Sequence, residues 1–101
     1  MIFYVKYQCD RAAQADAQAF FATMTDEEIA NEIPPGCTLL GRWHDVPNGW
    51  GISIVEADSQ EDLTSWMMGW SALCTFPVIT PMLDDNAARK LVNQMLAAQQ
   101  Q

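Results

Sequence analysis

The only histidine of this chain stands in the run Gly41-Arg-Trp-His-Asp-Val-Pro-Asn-Gly-Trp-Gly51, two residues from Arg42 and one hairpin away from Glu56. An imidazole exchanges protons near neutrality, and a guanidinium stays charged and can clamp a carboxylate or an enolate. The chemistry these types suit is acid-base work by His44, the candidate catalytic residue, with Arg42 orienting an anion and Glu56 aligning either group. Other chemistries lack their parts. No Gly-x-Ser-x-Gly elbow accompanies the histidine, and Gly49-Trp-Gly51 is too short and too bulky for a nucleotide loop. One histidine excludes a multi-histidine metal site within a subunit, and Cys9, Cys37 and Cys74 form no Cys-x-x-Cys pair. The expectation is therefore no metal and no cofactor.

Which side chains share the sheet face of His44 depends on how the hairpin closes, because a shift of one residue reverses every assignment. A two-residue Asn48-Gly49 loop pairs Pro47 with Trp50 and groups Arg42 and His44 with Ser53 and Val55, leaving Glu56 on the other side. A three-residue Pro47-Asn48-Gly49 loop pairs Val46 with Trp50 and groups Arg42 and His44 with Trp50, Ile52, Ile54 and Glu56. Proline at the first central position of a type I turn, asparagine at the second and glycine at the left-handed bulge residue favour the three-residue closure. It also sends Trp43 to a face with Gly41, Gly51 and Val55, where an indole has room to pack. The expected ligand contacts are then Arg42, Glu56, Trp50, Ile52 and Ile54, over an apolar floor that includes Leu40. The plainer reading is a structural Arg-Glu ion pair and a solvated histidine.

The elements that must position this hairpin follow from periodicity and caps. Ile2 to Tyr7 reads as a strand, and Asp10 as the cap of a helix from about Arg11 to Met24 with Ala13, Ala17, Phe20, Phe21 and Met24 on one side. Thr25-Asp-Glu-Glu28 is a capping box that restarts or bends the helix, Ile29 and Ile33 continue its buried side, and Pro34-Pro35-Gly36 stops it. Cys37 to Val46 and Trp50 to Ala57 are the hairpin strands. Ser59 caps a helix carrying Leu63, Trp66, Met67 and Trp70 at helical spacing, the two tryptophans reading as core. Thr75 to Thr80 is a strand placed at a sheet edge by Pro77, which cannot donate to a ladder. Asp84 or Asp85 caps a last helix with Ala88, Leu91, Met95 and Leu96 on one side, followed by an Ala-Gln tail expected to fray.

This order predicts a single α+β domain over residues 1–101, a ferredoxin-like βαββαβ sandwich with a four-stranded antiparallel sheet and an extra C-terminal helix. Half of the residues are hydrophobic, a generous stock for 101 positions, which points to burial between subunits and hence a homodimer. A net charge of −8 disfavours nucleic acid and anionic membrane surfaces as partners. No apolar run is long enough to span a bilayer, the start lacks signal-peptide character, and reduced cysteines fit a cytoplasmic location.

The run Gly41-Arg-Trp-His-Asp45, with Gly51, Val55-Glu-Ala-Asp58, Trp66, Trp70 and Thr75-Phe-Pro-Val-Ile-Thr-Pro-Met-Leu-Asp84, resembles a family of short bacterial proteins that carry a domain of unknown function. That family is related in shape to the dimeric α/β barrels. The likeness covers the chain well from about residue 37 onward and loosely over the first helix. The resemblance implies a ferredoxin-like protomer whose sheet pairs with a second sheet in a homodimeric barrel, a group that includes cofactor-independent oxygenases, polyketide cyclases and haem-degrading enzymes. The Asn, Trp and helix-borne His set of the haem-degrading group is missing here. Two functions remain: a homodimer that binds a small aromatic or carboxylated molecule with His-assisted acid-base chemistry, or a non-catalytic dimer whose hairpin serves the interface.

Overall fold

The computed structural model describes residues 1–100. The elements run β1 (Ile2–Cys9), α1 (Gln14–Ala22), α2 (Asp26–Asn31), β2 (Cys37–Asp45), β3 (Trp50–Ala57), α3 (Gln60–Met68), β4 (Cys74–Met82) and α4 (Asp85–Gln99). The sheet order is β2-β3-β1-β4 with every pair antiparallel. This is an α+β architecture with an open four-stranded sheet and four helices, and its strand order is compatible with the ferredoxin-like fold. β4 lies on an edge, as Pro77 requires.

Three of the expected caps form. Thr25 Oγ1 accepts from the Glu28 N–H at 3.1 Å, Ser59 Oγ from Asp62 N–H at 3.2 Å, and Asp84 Oδ1 from Ala87 N–H at 2.8 Å. Asp10 does not cap. Its carbonyl accepts from Ala13 N–H at 2.9 Å, so a turn intervenes and α1 begins at Gln14. Thr25 starts α2 as a separate short helix, so the chain changes direction between two helical segments.

The core lies on one face of the sheet, where Phe3, Val5, Val55 and Ala57 meet Leu63 and Trp66 of α3. A smaller cluster of Cys9, Ala17 and Cys74 continues it beneath α1. The opposite face carries Ile2, Tyr4, Trp50, Ile52 and Ile54 in paired register, and among the described residues no helix packs extensively over it. α4 continues through the Ala-Gln run to Gln99, where fraying was expected; Gln101 lies outside the described residues. It has no extensive packing partner among the described residues, and Leu91, Val92, Met95 and Leu96 are exposed. The radius of gyration is 16.7 Å, against about 13 Å for a compact chain of this length, because α4 projects from the body.

Candidate functional site

The hairpin closes in neither of the two expected ways. Asp45 pairs with Trp50, so the loop has four residues, Val46 to Gly49. The reason is the Asp45 carboxylate, which accepts from Asn48 N–H at 3.4 Å and from Asn48 Nδ2 at 3.0 Å and caps a helical turn one residue earlier than Pro47 alone suggests. Gly49 closes it in the left-handed region, φ +70°, with its N–H on Asp45 O at 3.0 Å. Arg42 therefore pairs with Ser53 and His44 with Gly51.

This register reverses the grouping of the favoured three-residue closure and reproduces the grouping of the two-residue one, though through a longer loop. Arg42 and His44 lie on the helix-covered face with Ser53 and Val55. Trp50, Ile52, Ile54 and Glu56 point to the open face, with Glu56 exposed and Trp50 under the Lys6 ammonium at 4.5 Å. The Arg42–Glu56 pair does not exist. Trp43 is likewise on the open face, 60 % exposed and lying across Gly41, where a Cβ would overlap its ring. Leu40 is no floor residue but the extra residue of a bulge between Leu39 and Gly41. The bulge turns Leu39 and Cys37 into the core while Arg42 and His44 keep the same face, which a regular strand cannot do.

A cavity of about 470 Å³ opens between this face and α1. Val5, Tyr7 and Cys9 of β1 form its floor, Phe21 of α1 its roof, and Trp70 and Phe76 a wall, with His44 at the rim. Nearly all of the lining is apolar. The polar centre is a contact between Tyr7 Oη and His44 Nδ1 at 2.5 Å. The two rings stand 5.6 Å apart, and Phe21 packs on the imidazole at 5.0 Å. Gly51 makes the contact possible: a Cβ there would run into the Tyr7 ring and the Trp43 carbonyl.

Both members of this pair are held neutral. Burial, and then the Cys9 and Cys74 thiols, push the Tyr7 phenol up to about 12. Burial, and then the Arg42 guanidinium, lower the His44 pKa from its ordinary value. A neutral phenol and a neutral imidazole share one hydrogen-bonding proton in either of two arrangements. If Tyr7 donates to Nδ1, His44 carries its proton on Nε2; if Nδ1–H donates to the phenol oxygen, Nε2 is a free acceptor and the Tyr7 O–H a free donor. In both, the couple keeps one unused donor and one unused acceptor.

Arg42 serves a neighbouring network. Its Nη1 donates to Glu32 Oε1 at 2.8 Å, with side chains only 13 % and 11 % exposed, and Trp70 Nε1 donates to Glu32 Oε2 at 2.8 Å. The guanidinium also lies 5.4 Å from the Phe21 ring. One carboxylate thus ties α2, β2 and the segment after α3 together, and its charge satisfies Arg42. Trp66 is buried as expected; Trp70 lies at the cavity wall with its N–H on Glu32 and its ring edge-on to Phe20 at 5.8 Å.

Tyr7, Glu32 and the Cys9–Cys74 pair escaped the sequence reading, and each had a signal. Tyr7 and Cys9 continue the period-two series Phe3, Val5 on one face. Glu32 follows the acidic α2 at its C-terminal end, where the helix dipole disfavours a carboxylate unless a cation compensates. Cys9 and Cys74 are directly paired across β1 and β4, their sulfurs 3.8 Å apart. Burial, and then the hydrogen bond that Cys74 donates to the Cys9 sulfur, push the Cys74 thiol up to about 12. Among the described residues no three His, Cys, Asp or Glu side chains gather to hold a metal ion, and no helix is long and apolar enough to cross a membrane.

No curated protein and no solved structure matches the chain. One family model does, over residues 1–96, and this near-complete span decides the matter: the chain belongs to the family described as a domain of unknown function, DUF3303.

Proposed function

We propose that this protein binds a small, neutral aromatic molecule in the cavity beside His44, as a homodimer. The observation that carries the reading is the cavity itself, about 470 Å³ of apolar space with one hydrogen-bonding couple at its rim. That size and composition are those of a small-molecule site, in which apolar walls supply affinity and a few polar groups fix orientation. Of the two ligand classes expected, aromatic and carboxylated, the first is better supported. Phe21, Phe76 and Trp70 offer ring faces, whereas Arg42 is already neutralised by Glu32. The Tyr7–His44 couple suits a ligand hydroxyl or carbonyl, and its spare donor and acceptor would allow a proton to enter at one atom and leave at the other without creating net charge in the cavity.

The homodimer is supported by a separate observation. The open sheet face and the unpartnered apolar side of α4 together expose the side chains that a second copy would cover. Sheet-to-sheet packing of two protomers would give the dimeric α/β barrel expected from the sequence.

Calorimetric titration with naphthol and with naphthoic acid tests the ligand reading. Naphthol should bind at least about tenfold more tightly, since the anion would leave a carboxylate without a free cation. Tighter binding of naphthoic acid would overturn the assignment of a neutral ligand, and no binding of either would remove the aromatic site.

A further inference from the structure

The two thiols at the end of the cavity floor take no part in the Tyr7–His44 hydrogen bond and carry a second reading. Asp10 N–H bonds to Leu73 O at 2.9 Å, while the Cys9 and Cys74 N–H groups go elsewhere, to Gly49 O at 2.8 Å and Trp70 O at 3.0 Å. Cys9 and Cys74 therefore occupy a non-hydrogen-bonded position of the antiparallel ladder, where facing Cα atoms lie about 4.5 Å apart and side chains come closest. That spacing falls inside the window a disulfide spans. The sulfurs already touch at 3.8 Å. Both residues line the large cavity, and both also line a second one of about 360 Å³ on the far side of the pair. They are buried from bulk solvent yet reachable from two hollows. Cys37, on β2 at the far edge of the sheet, shares neither.

We infer that Cys9 and Cys74 are a dithiol that a low-molecular-weight disulfide oxidises to an intramolecular cross-strand disulfide. In the first step one cysteine sulfur, losing its proton, attacks a sulfur of the reagent; the reagent's S–S bond breaks and one thiol leaves with that proton. In the second, the facing cysteine attacks the protein sulfur of the mixed disulfide and expels the second reagent thiol. Two S–H bonds are lost, one protein S–S bond forms, and the reagent takes up both electrons and both protons. The product ties the edge strand β4 to β1 at one end of the cavity.

Dipyridyl disulfide, neutral and compact, is a suitable probe on the folded Cys37→Ser protein, which keeps only the facing pair. The expected result is release of about two equivalents of thiopyridone, an intact mass about 2 Da below the reduced protein with no retained adduct, and a peptide map joining Cys9 to Cys74. The oxidised protein should melt roughly 5–15 °C higher, because the bond closes a long loop. Cys74→Ser in the same background should stop at about one equivalent and keep the adduct on Cys9. Two retained adducts, a covalent dimer, or no reaction in folded protein that reacts fully once unfolded would each overturn the inference.

Discussion

On the helix-covered face of the sheet Val55 is 1 % exposed; on the other face, at adjacent positions of the same strand and its neighbour, Ile52 and Ile54 are partly covered and Trp43 is 60 % exposed. The two faces carry similar amounts of aromatic and branched side chain, yet only one has its own roof. α1 and α3 supply that roof, and where α1 stands off the sheet the cavity remains. The difference teaches that the chain spends its core on one face and keeps a hollow there. The other face is left for an outside surface, which we propose to be a second copy.

The sharpest way to separate the faces is a pair of tryptophan truncations. Trp66→Ala, in the buried core, should cost about 3–5 kcal/mol in denaturant unfolding, whereas Trp43→Ala should leave the stability of a dissociated protomer within about 0.5 kcal/mol. Equal costs would contradict the burial contrast. Next in size is the open side. Leu91→Asp with Met95→Asp should raise the dimer dissociation constant by about 100-fold or more in sedimentation equilibrium while the far-ultraviolet spectrum keeps its strand signature. An unchanged self-association would remove α4 from the interface.

Glu32→Ala tests the network behind the cavity. It strips the partner from both Arg42 and Trp70 Nε1 and should cost about 2 kcal/mol, with Arg42→Ala and the double variant showing coupling in a thermodynamic cycle. A smaller effect belongs to the Tyr7–His44 couple and has a definite sign. The folded state holds the Tyr7 proton up to about 12, above the value near 10 of an unfolded tyrosine. Its contribution is present below pH ~10 and is lost as pH rises through about 12, on the order of 1 kcal/mol after allowance for solvent at this half-buried ring. His44 acts at the other end. Its lowered pKa makes stability rise with pH, so that the contribution present above pH ~6.5 falls away as the solution is acidified. Tyr7→Phe should flatten the alkaline limb of a melting-temperature profile and His44→Gln the acidic one.

The strand and helix order was legible from alternation, helical spacing and three side-chain caps, and Pro77 placed β4 on its edge. The site was legible only in part. Arg42 and His44 do share a face, because residues two apart on a strand point the same way, but only His44 borders the cavity. Their partners were misassigned because register is decided by two features with weak local signals. Asp45 nucleates the turn one residue early through its own carboxylate, and Leu40 is extruded as a bulge although its neighbours read as an unbroken strand. One residue of register moved Glu56, Trp50, Ile52 and Ile54 to the far face. Tyr7 and Glu32, which took their place beside His44 and Arg42, come from other elements, β1 and the end of α2, and only tertiary packing brings them in.

The measurement that bears most directly on the difference between the faces is a calorimetric titration of naphthol into three proteins: the native chain, His44→Ala and Ile52→Ala. His44 borders the cavity, and Ile52 lies on the opposite face one strand position away. The account predicts that His44→Ala weakens binding by about tenfold and that Ile52→Ala leaves it unchanged. Loss of binding in Ile52→Ala with full binding in His44→Ala would place the ligand on the open face and contradict the assignment.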